Sequence, residues 1–160
     1  MKETRVLFVC MGNICRSPAA EGILKKLLNT SGLRDRVSVD SAGTISYHSG
    51  EAADPRMQEA AKKRGYNLAS RARQFQPEDF EKFDWIFTMD DRNFMEIENQ
   101  RPSVTTRARL MRFCELCMEH TDREVPDPYY GGDAGFERVL DLLEDGCREW
   151  IQRYQESTGA

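Results

Sequence analysis

The fold is decided near the amino terminus by Arg5-Val-Leu-Phe-Val-Cys-Met-Gly-Asn-Ile-Cys-Arg-Ser-Pro18. Residues 5–10 make a continuous β-branched and aromatic run, which is typical of a strand buried on both faces. The residues that follow are too few, and too marked by Gly and Asn, to form a helix. Ser17-Pro18 then predicts a helix start, with Ser17 as the N-cap and Pro18 at the first helical position. The stretch is therefore the strand, loop and helix that open a β-α-β unit.

The remainder of the chain repeats this alternation of strand and helix. The first helix carries an apolar stripe and ends near Gly32. The elements predicted after it are a strand at 37–40, a long Gly/Ser loop at 41–53, a helix from Asp54-Pro55 to near Gly65, a strand at 84–89, a helix at about 91–99, a strand at 108–113 and a terminal helix that contains 136–154. This alternation predicts an α/β fold: one three-layer domain over residues 1–160, with a central four-stranded parallel sheet and helices on both faces.

Composition excludes several classes of protein. With 160 residues, 39% hydrophobic and 31% charged, the chain has the profile of a soluble globular domain. A net charge of −4 argues against nucleic acid or an anionic membrane surface as a partner. The amino terminus lacks the pattern of a signal peptide, and the chain is long enough to fold without disulfides, so its five cysteines predict reduced thiols in the cytoplasm. We expect a monomer.

The loop after the first strand has the features of an anion site. In parallel α/β sheets, ligands bind beyond the carboxyl ends of the strands, and the backbone N–H groups between such a strand and a helix can form an anion-binding nest. Gly12 permits a tight turn, and Asn13 tolerates a left-handed conformation better than most residues. The residues predicted to bind phosphate, which we call the phosphate loop, are Met11, Gly12, Asn13, Ile14, Cys15, Arg16 and Ser17.

The spacing Cys10-x5-Arg16-Ser17 adds reactive groups to this loop. A thiol at the start of an anion-binding nest is stabilised as the thiolate, which is the nucleophilic form. The guanidinium of Arg16 offers a planar donor fork to phosphate oxygens. The Ser17 hydroxyl can donate to the Cys10 sulfur when that sulfur becomes the leaving group. The pattern therefore predicts phosphoryl transfer to Cys10.

Transfer to a thiolate also needs an acid for the leaving oxygen. Neither His48 nor His120 has a supporting motif, and we expect both at the surface. Asp127 is the better candidate because prolines on both sides stiffen its segment and preset the carboxylate. Two tyrosines follow it, Tyr129 and Tyr130, and can form an aromatic wall beside the acid.

At these residues the chain resembles the low-molecular-weight protein tyrosine phosphatases, over nearly its whole length. The matching stretches are 6–21, 40–44, 83–90 and 127–132, and the Thr44-x-x-Tyr47-His48 loop is closest to members from cyanobacteria and plants. The resemblance implies a two-step hydrolysis without metal or other cofactor. Cys10 attacks phosphotyrosine to form a phosphocysteine while Asp127 protonates the leaving phenolate, and Asp127 then activates the water that releases phosphate.

The resemblance also implies supporting roles. Asn13 holds the shape of the phosphate loop, with Ser41 as its partner, and Met11 stands where most members have Leu. Cys15 forms a reversible disulfide with Cys10 that makes the enzyme redox-regulated, although a packing role for Cys15 stays open. The residues that would flank the entering aromatic ring are Tyr47, Tyr129 and Tyr130. The implied partners are phosphotyrosine proteins, a tyrosine kinase, and phosphate or other oxyanions as inhibitors.

Two alternatives use the same scaffold. Arsenate reductases pass oxidation to a second cysteine pair around the third strand, but residues 83–99 contain no cysteine. Protein arginine phosphatases carry Thr where this chain has Ile14, and they lack the double tyrosine. Both alternatives are weaker than the tyrosine phosphatase.

A third alternative belongs to another class. Cys114-x2-Cys117 with His120 is half of a zinc or redox site, which would make the chain a binding module. A structural zinc site needs four ligands, and Cys147 falls on the apolar stripe of the terminal helix. We therefore predict no metal.

Overall fold

The centre of the molecule is a four-stranded parallel sheet with the strand order β2-β1-β3-β4. The computed structural model describes residues 2–103, 105–129 and 131–159. The strands are β1 (Thr4–Cys10), β2 (Val37–Gly43), β3 (Trp85–Thr88) and β4 (Arg109–Arg112). The helices are α1 (Arg16–Thr30), α2 (Pro55–Lys63), α3 (Asp79–Lys82), α4 (Asp91–Glu98) and α5 (Asp133–Thr158), with a 3₁₀ turn at Phe113–Leu116. The predicted α/β fold with a four-stranded parallel sheet is confirmed.

The side chains of β1 alternate between two apolar layers, which places helices on both faces of the sheet. Val6 and Phe8 join the large core formed with α1, α2 and α5. Leu7 and Val9 face a smaller core on the side of α3 and α4. Both faces of β1 are therefore buried, as its continuous apolar run predicts.

Two boundaries beside the phosphate loop differ from the prediction. Strand β2 continues to Gly43 instead of ending at residue 40, because residues 41–43 pair in register with Phe8 to Cys10. Ser41, Ala42 and Gly43 have little intrinsic preference for strand, and their pairing with β1 holds them in the sheet. Helix α1 begins at Arg16 with Cys15 as its N-cap, so the prediction of Ser17 as N-cap is wrong.

The start of α2 agrees with the prediction. Asp54 is the N-cap and accepts a 2.8 Å hydrogen bond from the backbone N–H of Arg56, with Pro55 at the first helical position. The backbone N–H of Asp54 donates in turn to the carbonyl of Ile14 at 2.8 Å. The helix start is thus tied to the phosphate loop. In the described part of the chain, no helix has both the length and the apolarity needed to span a bilayer.

Candidate active site

The phosphate loop turns at Asn13, which adopts the left-handed backbone conformation (φ 58°). Its side-chain amide forms three hydrogen bonds. Nδ2 donates to Ser17 Oγ at 2.7 Å and to Ser41 Oγ at 3.0 Å, and Oδ1 accepts from the backbone N–H of Arg73 at 3.0 Å. These bonds hold the turn against α1, β2 and the segment before α3 at the same time.

Strand β2 forms the wall behind the loop. A Cβ on Gly43 would lie 2.8 Å from the carbonyl oxygen of Met11 and 3.2 Å from the backbone nitrogen of Asn13, so a side chain there would displace the loop. The buried hydroxyl of Ser41 donates to Glu21 Oε1 at 2.6 Å, which leaves its oxygen to accept from Asn13. Gly43 and Glu21 were not predicted as functional residues, although both lie in the stretches that carry the family resemblance.

The thiol of Cys10 lies at the end of β1 and is 2% exposed. Its Sγ is 3.0 Å from Ser17 Oγ. The Ser17 hydroxyl is therefore engaged with the sulfur and with Asn13, which explains why it does not cap α1; Cys15 occupies the cap position without a side-chain hydrogen bond. Ser17 was predicted both to cap α1 and to contact Cys10, and its position fits the contact and not the cap.

Arg16 is 2% exposed, and residues that follow β3 and β4 in the chain bind its guanidinium. Its NH1 donates to Asp90 Oδ2 at 2.6 Å and to the carbonyl of Val125 at 3.0 Å, while NH2 is 3.7 Å from Asp127 Oδ2. Burial lowers the pKa of Arg16, but the negative charge of Cys10 and the bond to Asp90 raise it by more, so the guanidinium stays charged. Asp90 was missed in the sequence because only the fold brings the end of β3 beside Arg16.

Asp127 stands between solvent and the Arg16 guanidinium, with its side chain one-third exposed. Its Oδ1 accepts a 3.0 Å hydrogen bond from the backbone N–H of Tyr129, so the carboxylate and the tyrosine form one turn. The guanidinium of Arg56 lies 5.2 Å from the Tyr129 ring and 5.0 Å from the Phe136 ring. This cation–π stack supports the wall that Tyr129 forms beside the acid.

A cavity of about 320 Å³ lies over the phosphate loop, and Cys10, Arg16 and Asp127 all line it. Tyr47 and Tyr129 line it too; they are 81% and 38% exposed, so they stand at its mouth. The structure thus brings the predicted nucleophile, cation, acid and aromatic walls to one place. Tyr130, also predicted to flank the ring, lies outside the described residues.

His48 also lines this cavity, a contact with the site that was not predicted for it. Its side chain is only 18% exposed, and Nδ1 is 3.1 Å from Glu51 Oε2. A Cβ on Gly12 would lie 3.0 Å from His48 Cδ2, so the imidazole packs directly on the phosphate loop. The sequence feature that could have predicted His48 as a residue of this site is the Thr44-x-x-Tyr47-His48 motif.

Cys15 shares the cavity wall with Cys10 and is 4% exposed. Burial raises the pKa of the Cys15 thiol far above its ordinary value, and the negative charges of Asp54 and Cys10 raise it further. Cys15 therefore stays a protonated thiol when Cys10 is a thiolate. The two cysteines of the loop are not equivalent nucleophiles.

The second cysteine pair lies away from this cavity. Cys114 lies in the 3₁₀ turn and Cys117 is its C-cap, with Cys117 Sγ donating to the carbonyl of Leu142 at 3.5 Å. His120, expected at the surface, places Nδ1 2.8 Å from the buried carboxylate of Asp145. Across residues 2–103, 105–129 and 131–159, no group of three or more His, Cys, Asp and Glu side chains is arranged to hold a metal ion.

A cysteine, a buried arginine and an aspartate around one cavity are the groups needed for phosphoryl transfer to a thiolate. This arrangement is that of a cysteine-dependent phosphatase. A family model described as low molecular weight phosphotyrosine protein phosphatase matches residues 5–159. The chain belongs to that family.

Individual relatives agree with this assignment. A putative low molecular weight protein-tyrosine-phosphatase of Synechocystis is 53% identical over 143 residues, covering 89% of this chain and 91% of the relative. A low molecular weight phosphotyrosine protein phosphatase of Schizosaccharomyces pombe is 43% identical over 152 residues, covering 94% and 97%. The crystal structure of a protein tyrosine phosphatase from Entamoeba histolytica, with Hepes in its active site, superposes with a TM-score of 0.93 at 44% identity, covering 98% and 99%. These similarities favour the tyrosine phosphatase over the alternatives.

Proposed function

We propose that this protein hydrolyses phosphotyrosine in proteins through a phosphocysteine intermediate on Cys10. The observation that carries the proposal is the meeting of Cys10, Arg16 and Asp127 on one cavity of about 320 Å³. The aromatic side chains of Tyr47 and Tyr129 at its mouth suit an aryl phosphate that enters between them.

Binding of the phosphate group is the first step. The backbone N–H groups of the phosphate loop and the buried guanidinium of Arg16 bind its oxygens. Because the protein as a whole carries a net charge of −4, this attraction is local to the loop. Free phosphate and other oxyanions fit the same donors and are expected to inhibit.

The chemistry then takes two displacements at phosphorus. The Cys10 thiolate forms a sulfur–phosphorus bond while the phosphorus–oxygen bond to the tyrosyl ring breaks, and Asp127 gives its proton to the leaving phenolate. The Asp127 carboxylate then removes a proton from water, whose oxygen attacks phosphorus and releases phosphate from sulfur. The Ser17 hydroxyl, 3.0 Å from Sγ, stabilises the departing thiolate. No cofactor enters either step.

The supporting roles follow from the same contacts. Asn13 and Ser41 hold the phosphate loop in its binding conformation, and we propose that Cys15 forms a disulfide with an oxidised Cys10. The partners we propose are tyrosine-phosphorylated proteins and, as the source of the modification, a tyrosine kinase. We place the protein in the cytoplasm, where the reduced Cys10 that the mechanism requires is maintained, and propose that it acts as a monomer.

Hydrolysis of p-nitrophenyl phosphate and of a phosphotyrosine peptide tests the proposal. Cys10→Ser should have no detectable turnover. Asp127→Ala should lower kcat by about 10²–10⁴ on phosphotyrosine, with a smaller loss on p-nitrophenyl phosphate because its leaving group needs less protonation. Asp133→Ala, an exposed carboxylate at the start of α5, is the matched control.

Two results would contradict the proposal. Unimpaired turnover by Cys10→Ser would remove the phosphocysteine mechanism. Cleavage of a phosphoarginine peptide without cleavage of the phosphotyrosine peptide would show that the substrate class is wrong.

A further inference from the structure

A second cavity, of about 620 Å³, lies at the opposite edge of the sheet from the active site. Thr4, Trp85 and Arg109 line it, and they are the first residues of β1, β3 and β4. Its other wall is the last two turns of α5. At about 3.3 Å per strand residue, the length of β1 puts it about 20 Å from Cys10. We call it the amino-edge cavity.

Aromatic side chains give the amino-edge cavity flat apolar walls. Trp150 and Tyr154 of α5 stack with their ring centroids 5.2 Å apart and their planes within 16°. Trp85 of β3 lines the same cavity, and the guanidinium of Arg109 lies over its ring at 5.0 Å. A planar ring bound here would meet indole and guanidinium planes, both of which stack on aromatic ligands.

The charged groups of the cavity are mainly cationic. Of the lining residues that the structure describes, three are arginines, Arg107, Arg109 and Arg153, and one, Asp84, has a carboxylate side chain. Arg107 donates from Nε to Asp84 at 2.8 Å, and Arg153 donates from Nε to Glu149 at 2.6 Å. Among the described residues no carboxylate forms an ion pair with Arg109. On a protein with a net charge of −4, this is a local concentration of positive charge.

We propose that the amino-edge cavity binds a planar aromatic molecule that carries an anionic group. The volume is within the range of small-molecule sites, which combine apolar walls with a few convergent polar groups. The ring would stack in the space between Trp85 and the Trp150–Tyr154 pair. Its anionic group would accept hydrogen bonds from the exposed guanidinium groups of Arg109 and Arg153.

The two tryptophans of the chain both line this cavity, so their two indole N–H signals in a ¹H–¹⁵N NMR spectrum report on it. The probes are naphthalene-2-sulfonate and naphthalene-2-carboxylate, titrated with inorganic phosphate present to occupy the active site. Naphthalene-2-sulfonamide supplies the ring without the charge, and methanesulfonate supplies the charge without the ring. Both indole signals should shift saturably with each anionic probe. The Kd of the sulfonamide should be at least about tenfold higher than that of the anionic naphthalenes.

Variants separate this site from non-specific binding. Arg109→Ala and Arg153→Ala should each weaken binding of the anionic probes about tenfold, the loss expected for one charge-assisted hydrogen bond. Arg148→Ala is the control. Arg148 is exposed on α5, as Arg153 is, but it does not line the cavity, so this variant should bind the probes as the wild type does. The backbone amide signals show whether each variant is folded.

Three outcomes overturn the proposal. The first is that neither anionic probe moves the indole signals. The second is that the sulfonamide or methanesulfonate binds as tightly as the anionic naphthalenes. The third is that Arg109→Ala and Arg153→Ala bind the anionic probes as tightly as Arg148→Ala does. Because the experiment reads binding and not turnover, these outcomes leave the proposed phosphatase activity untouched.

Discussion

The side-chain amide of Asn13 donates a 2.7 Å hydrogen bond to Ser17 Oγ, and this bond determines what the serine hydroxyl can do. Since the Ser17 oxygen accepts from Asn13, its own proton is directed elsewhere. The two acceptors in reach are Cys10 Sγ at 3.0 Å and the carbonyl of Ala42 at 3.4 Å. When Cys10 is a thiolate it carries no proton, so the shorter contact is a hydrogen bond from Ser17 to sulfur.

Ser17→Ala should therefore slow the breakdown of the phosphocysteine. The sulfur that leaves as a thiolate loses a hydrogen bond to a charged acceptor, and such bonds contribute about 1.5–3 kcal/mol, or about tenfold to 150-fold in rate. Rapid mixing with p-nitrophenyl phosphate should show a burst of nitrophenol that matches the enzyme concentration. Ser38→Ala, in β2, is the control. If Ser17→Ala turns over at the wild-type rate, the hydroxyl has no role in the leaving step.

Asp90→Asn should destabilise the free protein and increase the stabilisation that phosphate gives. The variant keeps the side-chain oxygen that accepts from the backbone N–H of Asn93 at 2.7 Å, but it removes the charge that balances the buried Arg16 guanidinium. A bound phosphate restores a negative charge there, so inorganic phosphate should raise Tm more in the variant than in the wild type.

Asp91→Asn is the matched control for this prediction, because Asp91 pairs with Arg112 at the surface. Thermal melts at increasing phosphate concentration make the comparison. Equal phosphate-induced shifts in Asp90→Asn and the wild type would mean that Asp90 does not balance the charge of Arg16 in the empty site.

Cys15→Ala should make oxidation of the enzyme irreversible. Peroxide converts the Cys10 thiolate to a sulfenic acid, and the Cys15 thiol then displaces its oxygen as water to form a disulfide that a dithiol reduces. Without Cys15, the sulfenic acid is exposed to further oxidation. After peroxide treatment, dithiothreitol should restore most activity to the wild type and to Cys114→Ala, and little to Cys15→Ala. Equal recovery by all three would leave Cys15 a packing residue.

Asp145→Asn should lower the free energy of unfolding at pH 7 by about 1–3 kcal/mol, because the carboxylate accepts backbone N–H bonds from Met118, Glu119 and His120. Burial raises the pKa of Asp145, but the Met118 bond and the His120 ring lower it by more. Its folded pKa is thus below the unfolded value of about 3.9. The stabilisation is therefore present above that value and is lost as pH falls through the folded pKa.

Urea unfolding at pH 7 and below pH 4 measures the difference in free energy of unfolding between the wild type and Asp145→Asn. It should shrink in acid, where the wild-type carboxylate gains its proton. A surface control is Asp141→Asn on the same helix. A difference between wild type and Asp145→Asn that is independent of pH would show that the charge of Asp145 does not stabilise the 118–120 segment.

Local sequence patterns predicted most of the fold because most elements carry their own signals. The apolar run of β1 and the Asp54-Pro55 helix start both appear where the pattern indicates. The errors occur where a neighbour outweighs local preference. Residues 41–43 look like loop, yet pairing with β1 makes them strand, and Ser17 looks like an N-cap, yet the fold places it against the thiol of Cys10.

By itself the sequence determined the chemistry of this protein, because Cys10, Gly12, Asn13, Arg16 and Ser17 lie on one short loop whose spacing already implies a nucleophile in an anion site. Tertiary structure alone decided what surrounds that loop. Asp90 and Gly43 lie far from the loop in sequence, just after β3 and at the end of β2, so only the parallel sheet, which gathers the carboxyl ends of its strands at one edge, brings them to the site. The same physical reason hides the amino-edge cavity, whose arginines and tryptophans are dispersed along the chain and meet only at the opposite edge.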